Sequence, residues 1–134
     1  DVVRGRTGKP SAIVEEYAAL LESYGINKAT SDRYGGTWPA DEFARYRITV
    51  EQSAKPKSDL YKDTLPVLNS GRAEIPPDDK LITQLASLER RTARGGRESI
   101  DHPPGGHDDR ANAVAGLIAN TAIGQRYVPI ADML

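Results

Sequence analysis

The chain has 134 residues and a formal net charge of −1 at pH 7, which suits one domain with a single modest core. The near-zero charge excludes a protein that is basic all over, so any nucleic-acid contact must come from a local patch. The absence of cysteine agrees with a reducing compartment. No apolar run is long enough to span a membrane and no export signal is present, so the sequence predicts a soluble protein without a membrane partner.

The first half of the chain alternates predicted helices and strands. Its elements are, in order, a helix capped by Ser11 and stopped at Gly25, and then a strand, a helix and a strand at residues 26–31, 37–46 and 47–50. Asp32 directly follows the first strand. Ligands of α/β proteins gather beyond the carboxyl ends of strands, so Asp32 is a candidate site residue, although an ordinary turn aspartate would fit the same position.

The second half of the chain combines predicted helices with short strands. Its elements are, in order, a helix capped by Ser58 that Pro66 kinks or shortens, a strand over 73–75, a helix opened by Asp78 or Asp79, a hairpin turning at Gly95-Gly96, and a final helix over 109–122. Five residues of the final helix are assigned to its buried side, namely Ala113, Val114, Leu117, Ile118 and Thr121. The predicted domain covers residues 1–125, and residues 126–134 are predicted to form a C-terminal tail.

A Pro/Gly-rich loop at residues 101–109 holds three aspartates and both histidines of the chain, and it leads directly into the final helix. Carboxylates and imidazoles on a stiff loop at a helix N-terminus suit a hard divalent cation such as Mg²⁺ or Mn²⁺. A second interpretation makes Asp108 the N-cap and Asp109 an acid favoured by the helix dipole. A third, Zn²⁺ held by His102, His107 and nearby carboxylates, is disfavoured by the loose spacing and the lack of cysteine.

The only basic patch of the sequence surrounds the Gly95-Gly96 turn. It consists of Arg90, Arg91, Arg94 and Arg97. A solvated charged surface is the default interpretation of such a patch. Phosphate contact is the alternative if the patch lies beside a metal site.

Four motifs follow one another along nearly the whole chain. They are Asp32-Arg33-Tyr34-Gly35-Gly36 with Trp38, Leu65-Pro66 with Leu68-Asn69-Ser70-Gly71-Arg72, Leu88-Glu89-Arg90-Arg91-Thr92 with Arg94-Gly95-Gly96, and Asp101-His102-Pro103-Pro104-Gly105-Gly106-His107-Asp108-Asp109 with Ala111-Asn112-Ala113. Together they resemble the C-terminal nuclease domain of tailed-phage terminase large subunits. The last motif is the most specific of the four.

This resemblance implies a ribonuclease H-like α/β fold, a mixed sheet flanked by helices, and a DNA endonuclease that cuts concatemeric phage DNA by two-metal hydrolysis. It implies that two Mg²⁺ or Mn²⁺ ions are held by three catalytic carboxylates, those of Asp32, Asp108 and Asp109. Asp109 is expected to be the principal ligand of the adjacent pair, and Asn112 could ligate or position a water. His107 is expected to orient the ligating carboxylates, whereas His102 is expected to be structural.

The resemblance also implies double-stranded DNA as substrate, an ATPase domain in the same parent polypeptide, the portal and the small terminase subunit as partners, and the host bacterial cytoplasm as location. A first strand with a further catalytic acid is expected in that family, and the residues around Val2 do not supply it. The chain therefore looks like a domain without its first two strands, so we expect the isolated fragment to be nearly inactive and to self-associate through an unpaired sheet edge. The alternative function is a non-catalytic module that docks to DNA or to the portal.

Overall fold

The computed structural model describes residues 9–32 and 37–124 and follows the predicted alternation of helices and strands. Its elements are α1 (Pro10–Ser23), β1 (Lys28–Ser31), α2 (Trp38–Ala44), β2 (Thr49–Gln52), α3 (Lys57–Asn69), α4 (Asp79–Ala86), β3 (Glu89–Thr92), β4 (Glu98–Asp101) and α5 (Asp109–Gly124). The α/β prediction is confirmed. The predicted tail lies outside the described residues, and within the described ranges no helix has the length and apolar character needed to cross a membrane.

Contacts divide the chain into two compact units, Asp1–Pro56 and Lys57–Leu134. In the first unit β1 pairs with β2 in parallel, with Lys28 opposite Thr49. Helix α2 connects the two strands, and it contacts both β2 and α1. This is a strand–helix–strand arrangement, because parallel strands need a crossover rather than a tight turn. Asp32 follows the end of β1 directly, as predicted.

The second unit contains the predicted hairpin. Strands β3 and β4 pair antiparallel, with Glu89 opposite Asp101, and the connection turns at Gly96 with a φ of +77°. A glycine adopts this left-handed backbone without a steric penalty, so the Gly95-Gly96 signal was sufficient to predict the hairpin. In the described part of the chain the strands form two separate pairs, and the single mixed sheet stays a prediction.

Helix α3 packs against α5 and β4, and α4 packs against α5. The core between these elements consists of Leu60, Tyr61, Ile100, Ala111, Ala115 and Ala119. The hydroxyl of Thr64 donates a buried hydrogen bond of 3.0 Å to the carbonyl oxygen of Ala115. A side chain on α3 therefore reaches the backbone of α5, which small residues at the contact permit.

The predicted buried side of α5 was wrong in part. Leu117 is 65% exposed, whereas Ala111 and Ala115 are fully buried. Ala113 is also exposed, and Ile118 is the one assigned residue that the structure buries. The predicted stripe began at Ala113, whereas contact with α3 and α4 buries the stripe of Ala111, Ala115 and Ala119, two residues out of register.

Three further local predictions also need correction. Helix α3 begins at Lys57, so Ser58 lies inside the helix and does not cap it. The Ser58 hydroxyl instead accepts a hydrogen bond of 2.9 Å from the backbone N–H of Ile100, which fastens β4 to α3. No strand forms over the described residues 73–75, and the prolines at 76 and 77 could not have extended one because proline has no N–H to donate. In the first unit, α1 begins at Pro10 rather than after a Ser11 cap.

Candidate metal centre

Two aspartates of the second unit lie at the ends of secondary-structure elements. Asp101 is the last residue of β4, and Asp108 directly precedes α5. The loop between them turns tightly, since the N–H of Gly106 donates to the carbonyl of Pro103 over 2.8 Å. A Cβ at Gly106 would lie 2.9 Å from that carbonyl oxygen, so the second glycine of the predicted loop is needed for the turn to close.

A lysine lies between the two carboxylates. The Nζ of Lys57 is 2.6 Å from Oδ1 of Asp101 and 3.0 Å from Oδ2 of Asp108. One helical turn later, the hydroxyl of Tyr61 donates a buried hydrogen bond of 2.8 Å to the same Oδ2 of Asp108. Residues four apart share a helix face, so the start of α3 presents both donors to the carboxylate pair.

His102 completes this cluster. Its Nδ1 lies 2.8 Å from the carbonyl oxygen of Pro103, which can only accept a hydrogen bond, so Nδ1 carries the proton in the neutral ring. Its Nε2 is 3.8 Å from Oδ1 of Asp101 and 4.0 Å from Oδ1 of Asp108. A backbone carbonyl at one ring nitrogen is the usual way in which a metal-binding histidine is oriented. Nε2 therefore offers a lone pair beside the two carboxylates.

The metal-binding atoms of Asp101, His102 and Asp108 all lie within 4.8 Å of one another. Two carboxylate oxygens and one imidazole nitrogen form a donor set that suits a divalent cation such as Mg²⁺, Mn²⁺ or Co²⁺. Asp108 is only 7% exposed, which is unusual for a carboxylate and requires compensating partners. The residues present therefore fit a divalent cation.

The protonation states of Asp101, Lys57 and Tyr61 are determined by burial and by the contacts that these side chains make with one another and with their neighbours. Burial alone would raise the pKa of Asp101, but hydrogen bonds from Lys57 and from the backbone N–H of His102 hold that pKa below its ordinary value. Burial alone would lower the pKa of Lys57, but its two carboxylate partners raise it. Burial raises the pKa of Tyr61, and the hydrogen bond to Asp108 raises it further. At neutral pH the site therefore contains an ionised Asp101, an ammonium and a protonated phenol.

The N-terminus of α5, next to Asp108, is held by α4. The side-chain oxygen of Gln84 accepts hydrogen bonds from the backbone N–H groups of Arg110, over 2.9 Å, and Ala111, over 3.1 Å. These groups lie in the first turn of α5, where the helix itself supplies no acceptor. Asp78 caps α4 through the N–H of Leu81 and also pairs with the Arg110 side chain. Two residues of the α4 region thus fix the position at which α5 begins.

The structure places the predicted site residues in different surroundings. Asp108 belongs to the cluster, whereas Asp109 and His107 are exposed and Asn112 is half-buried. Asp32 is exposed and lies in the first unit, so its participation in the site stays a prediction. His102, which was expected to be structural, contributes a potential ligand atom.

Sequence reasoning missed two residues of this cluster, Lys57 and Tyr61. It counted Asp101 among the carboxylates of the candidate loop, but the resemblance gave the ligand roles to Asp32, Asp108 and Asp109. The i, i+4 spacing of Lys57 and Tyr61 places them on one helix face, but nothing in the sequence indicates that this face meets the loop. Their contacts join segments that are far apart in the chain, 47 residues for Tyr61 and Asp108.

The four arginines of the predicted basic patch form two pairs that differ in whether they have carboxylate partners. Arg90 lies 3.6 Å from a carboxylate oxygen of Glu98, and Arg91 donates over 3.1 Å to the carbonyl oxygen of His102 in the metal-centre loop. Arg91 also pairs with the neighbouring Glu89. Arg94 and Arg97 flank the turn, are exposed, and have no carboxylate partner in the part of the chain that the structure describes.

Comparison with known proteins identifies solved structures of similar fold. The large terminase nuclease from thermophilic phage G20c has a TM-score of 0.70 at 22% identity, covering 84% of this chain and 62% of that one. Its cobalt-bound and magnesium-bound structures have TM-scores of 0.67 at 23% identity, covering 81% of this chain and 61% and 60% of theirs. No family profile and no curated protein matches the chain. The predicted resemblance is thus confirmed at the level of structure, and this chain has the fold of the large terminase nuclease.

Proposed function

We propose that this chain is a divalent-metal-dependent DNA endonuclease domain of a phage packaging terminase, with a ribonuclease H-like fold. The observation that carries the proposal is the cluster of Asp101, His102 and Asp108, formed where a strand ends and a helix begins. The nuclease of similar fold has been solved with bound cobalt and with bound magnesium. A metal-ligand donor set within that fold supports a nuclease more than it supports a module that only docks to DNA or to the portal.

In this proposal Asp101, His102 and Asp108 would hold one cation. The ligand roles that the resemblance implies for Asp32 and Asp109 stay predictions. When bound, such cations supply the positive charge that stabilises the attacking water and the leaving oxygen of a phosphodiester. The protein's own contribution is to fix the ligands in advance. Tyr61 orients Asp108, and Gln84 holds the helix end from which Asp108 and Asp109 project.

The hairpin formed by β3 and β4 would contact the DNA backbone. Arg94 and Arg97 are exposed at its turn and are available to phosphate oxygens, whereas Arg90 and Arg91 already have carboxylate partners. Because β4 ends in Asp101, the same strand would join the DNA contact to the metal centre. Double-stranded DNA is thus the proposed substrate, and the ATPase domain, portal, small subunit and host cytoplasm belong to the same proposal.

The proposal predicts metal-dependent cleavage. The natural full-length polypeptide should nick supercoiled plasmid with Mn²⁺ or Mg²⁺ and lose this activity in EDTA, as gel electrophoresis would show. Asp32→Ala should abolish cleavage while circular dichroism stays unchanged, because a metal ligand is removed from an exposed position. Retention of near wild-type cleavage by Asp32→Ala would remove Asp32 from the site. DNA binding without any cleavage under all metal conditions would favour the docking module instead.

The arginines at the hairpin turn should contribute to DNA affinity independently of DNA sequence. Replacing both Arg94 and Arg97 by Ala is expected to lower the slope of log affinity against log salt by about 0.9 for each phosphate that the variant no longer neutralises. Fluorescence anisotropy with two unrelated duplexes would measure this slope. The matched control is the double substitution of Arg72 and Lys80 by Ala, which removes the same charge elsewhere in the second unit. Equal slopes for the two double variants would identify the turn arginines as ordinary surface residues.

A further inference from the structure

Lys57 occupies the place between Asp101 and Asp108 where a cation would be expected. Its ammonium group is 2.6 Å from one carboxylate and 3.0 Å from the other, and it has no third acidic partner among the described residues. The two carboxylates would repel each other if they were left alone in this half-buried position. The ammonium therefore supplies the positive charge that the carboxylate pair requires when no metal is bound.

The ammonium and a divalent cation would both need an oxygen atom of Asp101. Lys57 contacts Oδ1 of Asp101, which is also the carboxylate atom of that residue nearest to Nε2 of His102. It further contacts Oδ2 of Asp108, whereas Oδ1 of Asp108 is the oxygen near Nε2 of His102. A cation bound by all three ligand residues would meet the ammonium at short range, where two positive charges repel strongly. The cation therefore competes with the contact from Lys57 to Oδ1 of Asp101.

The ligands remain oriented without the lysine. Asp108 keeps its hydrogen bond of 2.8 Å from Tyr61, and Asp101 keeps one of 2.8 Å from the backbone N–H of His102. Removal of Lys57 would change the net charge of the two carboxylates and the ammonium from −1 to −2 while these two hydrogen bonds persist. The change in charge favours metal binding, and the loss of orientation that opposes it is small.

We propose that Lys57 is a built-in counter-ion that holds Asp101 and Asp108 in the metal-free protein and competes with the divalent cation for them. This inference rests on the proposed function, because it requires that a cation binds at the cluster. Lys57 acts through the charge of the two aspartates, whose orientation is maintained by Tyr61 and by the backbone N–H of His102. It stabilises the empty site and at the same time sets the metal concentration at which the site fills.

The test uses the 134-residue chain, freed of metal with EDTA and dialysed, and titrates it with Mn²⁺. Isothermal titration calorimetry and the electron paramagnetic resonance signal of free Mn²⁺ both report the affinity. Lys57→Met is expected to bind Mn²⁺ at least about tenfold more tightly than the wild type, because one repelling charge is gone. Its melting temperature should be lower than that of the wild type in EDTA, and saturating Mn²⁺ should recover the loss.

The matched control is Lys62→Met. Lys62 lies on the same helix, but it pairs with Asp59 and donates to the backbone of Glu98, so its removal changes the net charge equally without touching the cluster. Its Mn²⁺ affinity should equal that of the wild type. An equal increase in affinity in Lys62→Met would show that the effect is a general one of net charge, and it would overturn the proposal.

Two further outcomes separate this inference from the proposed function. If the wild type binds Mn²⁺, Asp108→Asn does not, and Lys57→Met binds no more tightly than the wild type, then the competition is refuted while the metal site stands. If neither the wild type nor Lys57→Met binds Mn²⁺ at any concentration up to the millimolar range, both the site and the competition are refuted.

Discussion

Replacing Asp108 by Asn is expected to weaken Mn²⁺ binding by this chain by more than about a hundredfold, since even the loss of a residue that only orients a ligand costs about 10- to 100-fold. The same variant of the natural full-length polypeptide should lose metal-dependent DNA cleavage. The reason is that Asp108 is 7% exposed and supplies one of the two carboxylates of the cluster. Asparagine keeps a side-chain oxygen that can accept from Tyr61, so the fold should be retained.

Asp109→Asn is the matched control, because it removes the same charge from the neighbouring position. Asp109 is exposed, whereas Asp108 contacts both Lys57 and Tyr61. We therefore expect Asp109→Asn to weaken Mn²⁺ binding at the cluster much less than Asp108→Asn does. The opposite order, with Asp109→Asn the more damaging, would restore Asp109 as the principal ligand, as the sequence motif predicts.

Replacing Gln84 by Leu is expected to lower the free energy of unfolding by about 2 kcal/mol, because two backbone N–H groups lose their acceptor and each buried unsatisfied donor costs about 1–3 kcal/mol. These groups belong to Arg110 and Ala111 in the first turn of α5. Both N–H groups are only partly buried, so water would partly replace the lost acceptor. The expected cost for the two groups together is therefore at the lower end of the range. Urea denaturation should show a lower midpoint with an unchanged slope.

The control for this prediction is Gln84→Glu, which keeps a side-chain oxygen within reach of the same N–H groups. A carboxylate at a helix N-terminus is also favoured by the helix dipole. We expect its stability to equal or exceed that of the wild type at neutral pH. If Gln84→Leu is as stable as Gln84→Glu, the hydrogen bonds from Gln84 contribute nothing and α5 is positioned by its apolar packing alone.

The helices and the hairpin were largely predictable, because each depends on residues close together in the sequence. Gly95-Gly96 predicted the hairpin, and the acids before the Ala-rich run predicted where α5 begins. Helical spacing did not identify which apolar stripe of α5 is buried, because the helix carries apolar residues on more than one side. Ala115 is buried because α3 approaches it closely, and Leu117 is exposed because no described element covers it.

The candidate site was predictable only where its residues share one loop. The sequence located the 101–109 loop and included Asp108 among its ligands. It did not predict that Lys57 and Tyr61 would meet that loop, since their position depends on how α3 packs against α5 and β4. The position of His102 beside the two carboxylates has the same origin. The carbonyl oxygen of Pro103 contacts Nδ1 of His102 and also accepts from the N–H of Gly106, and this turn geometry is not visible in the sequence.

The length of strand β4 sets the distance between the arginines at the hairpin turn and the metal centre of the proposed nuclease. Arg97 precedes the strand and Asp101 ends it, so about four residue steps of about 3.4 Å, or about 14 Å, separate the turn from the metal centre. B-form DNA rises about 3.4 Å for each base pair. If the hairpin lies along the duplex, its arginines would therefore contact the phosphate backbone about four base pairs from the bond that is cleaved. Strand β4 would set this spacing.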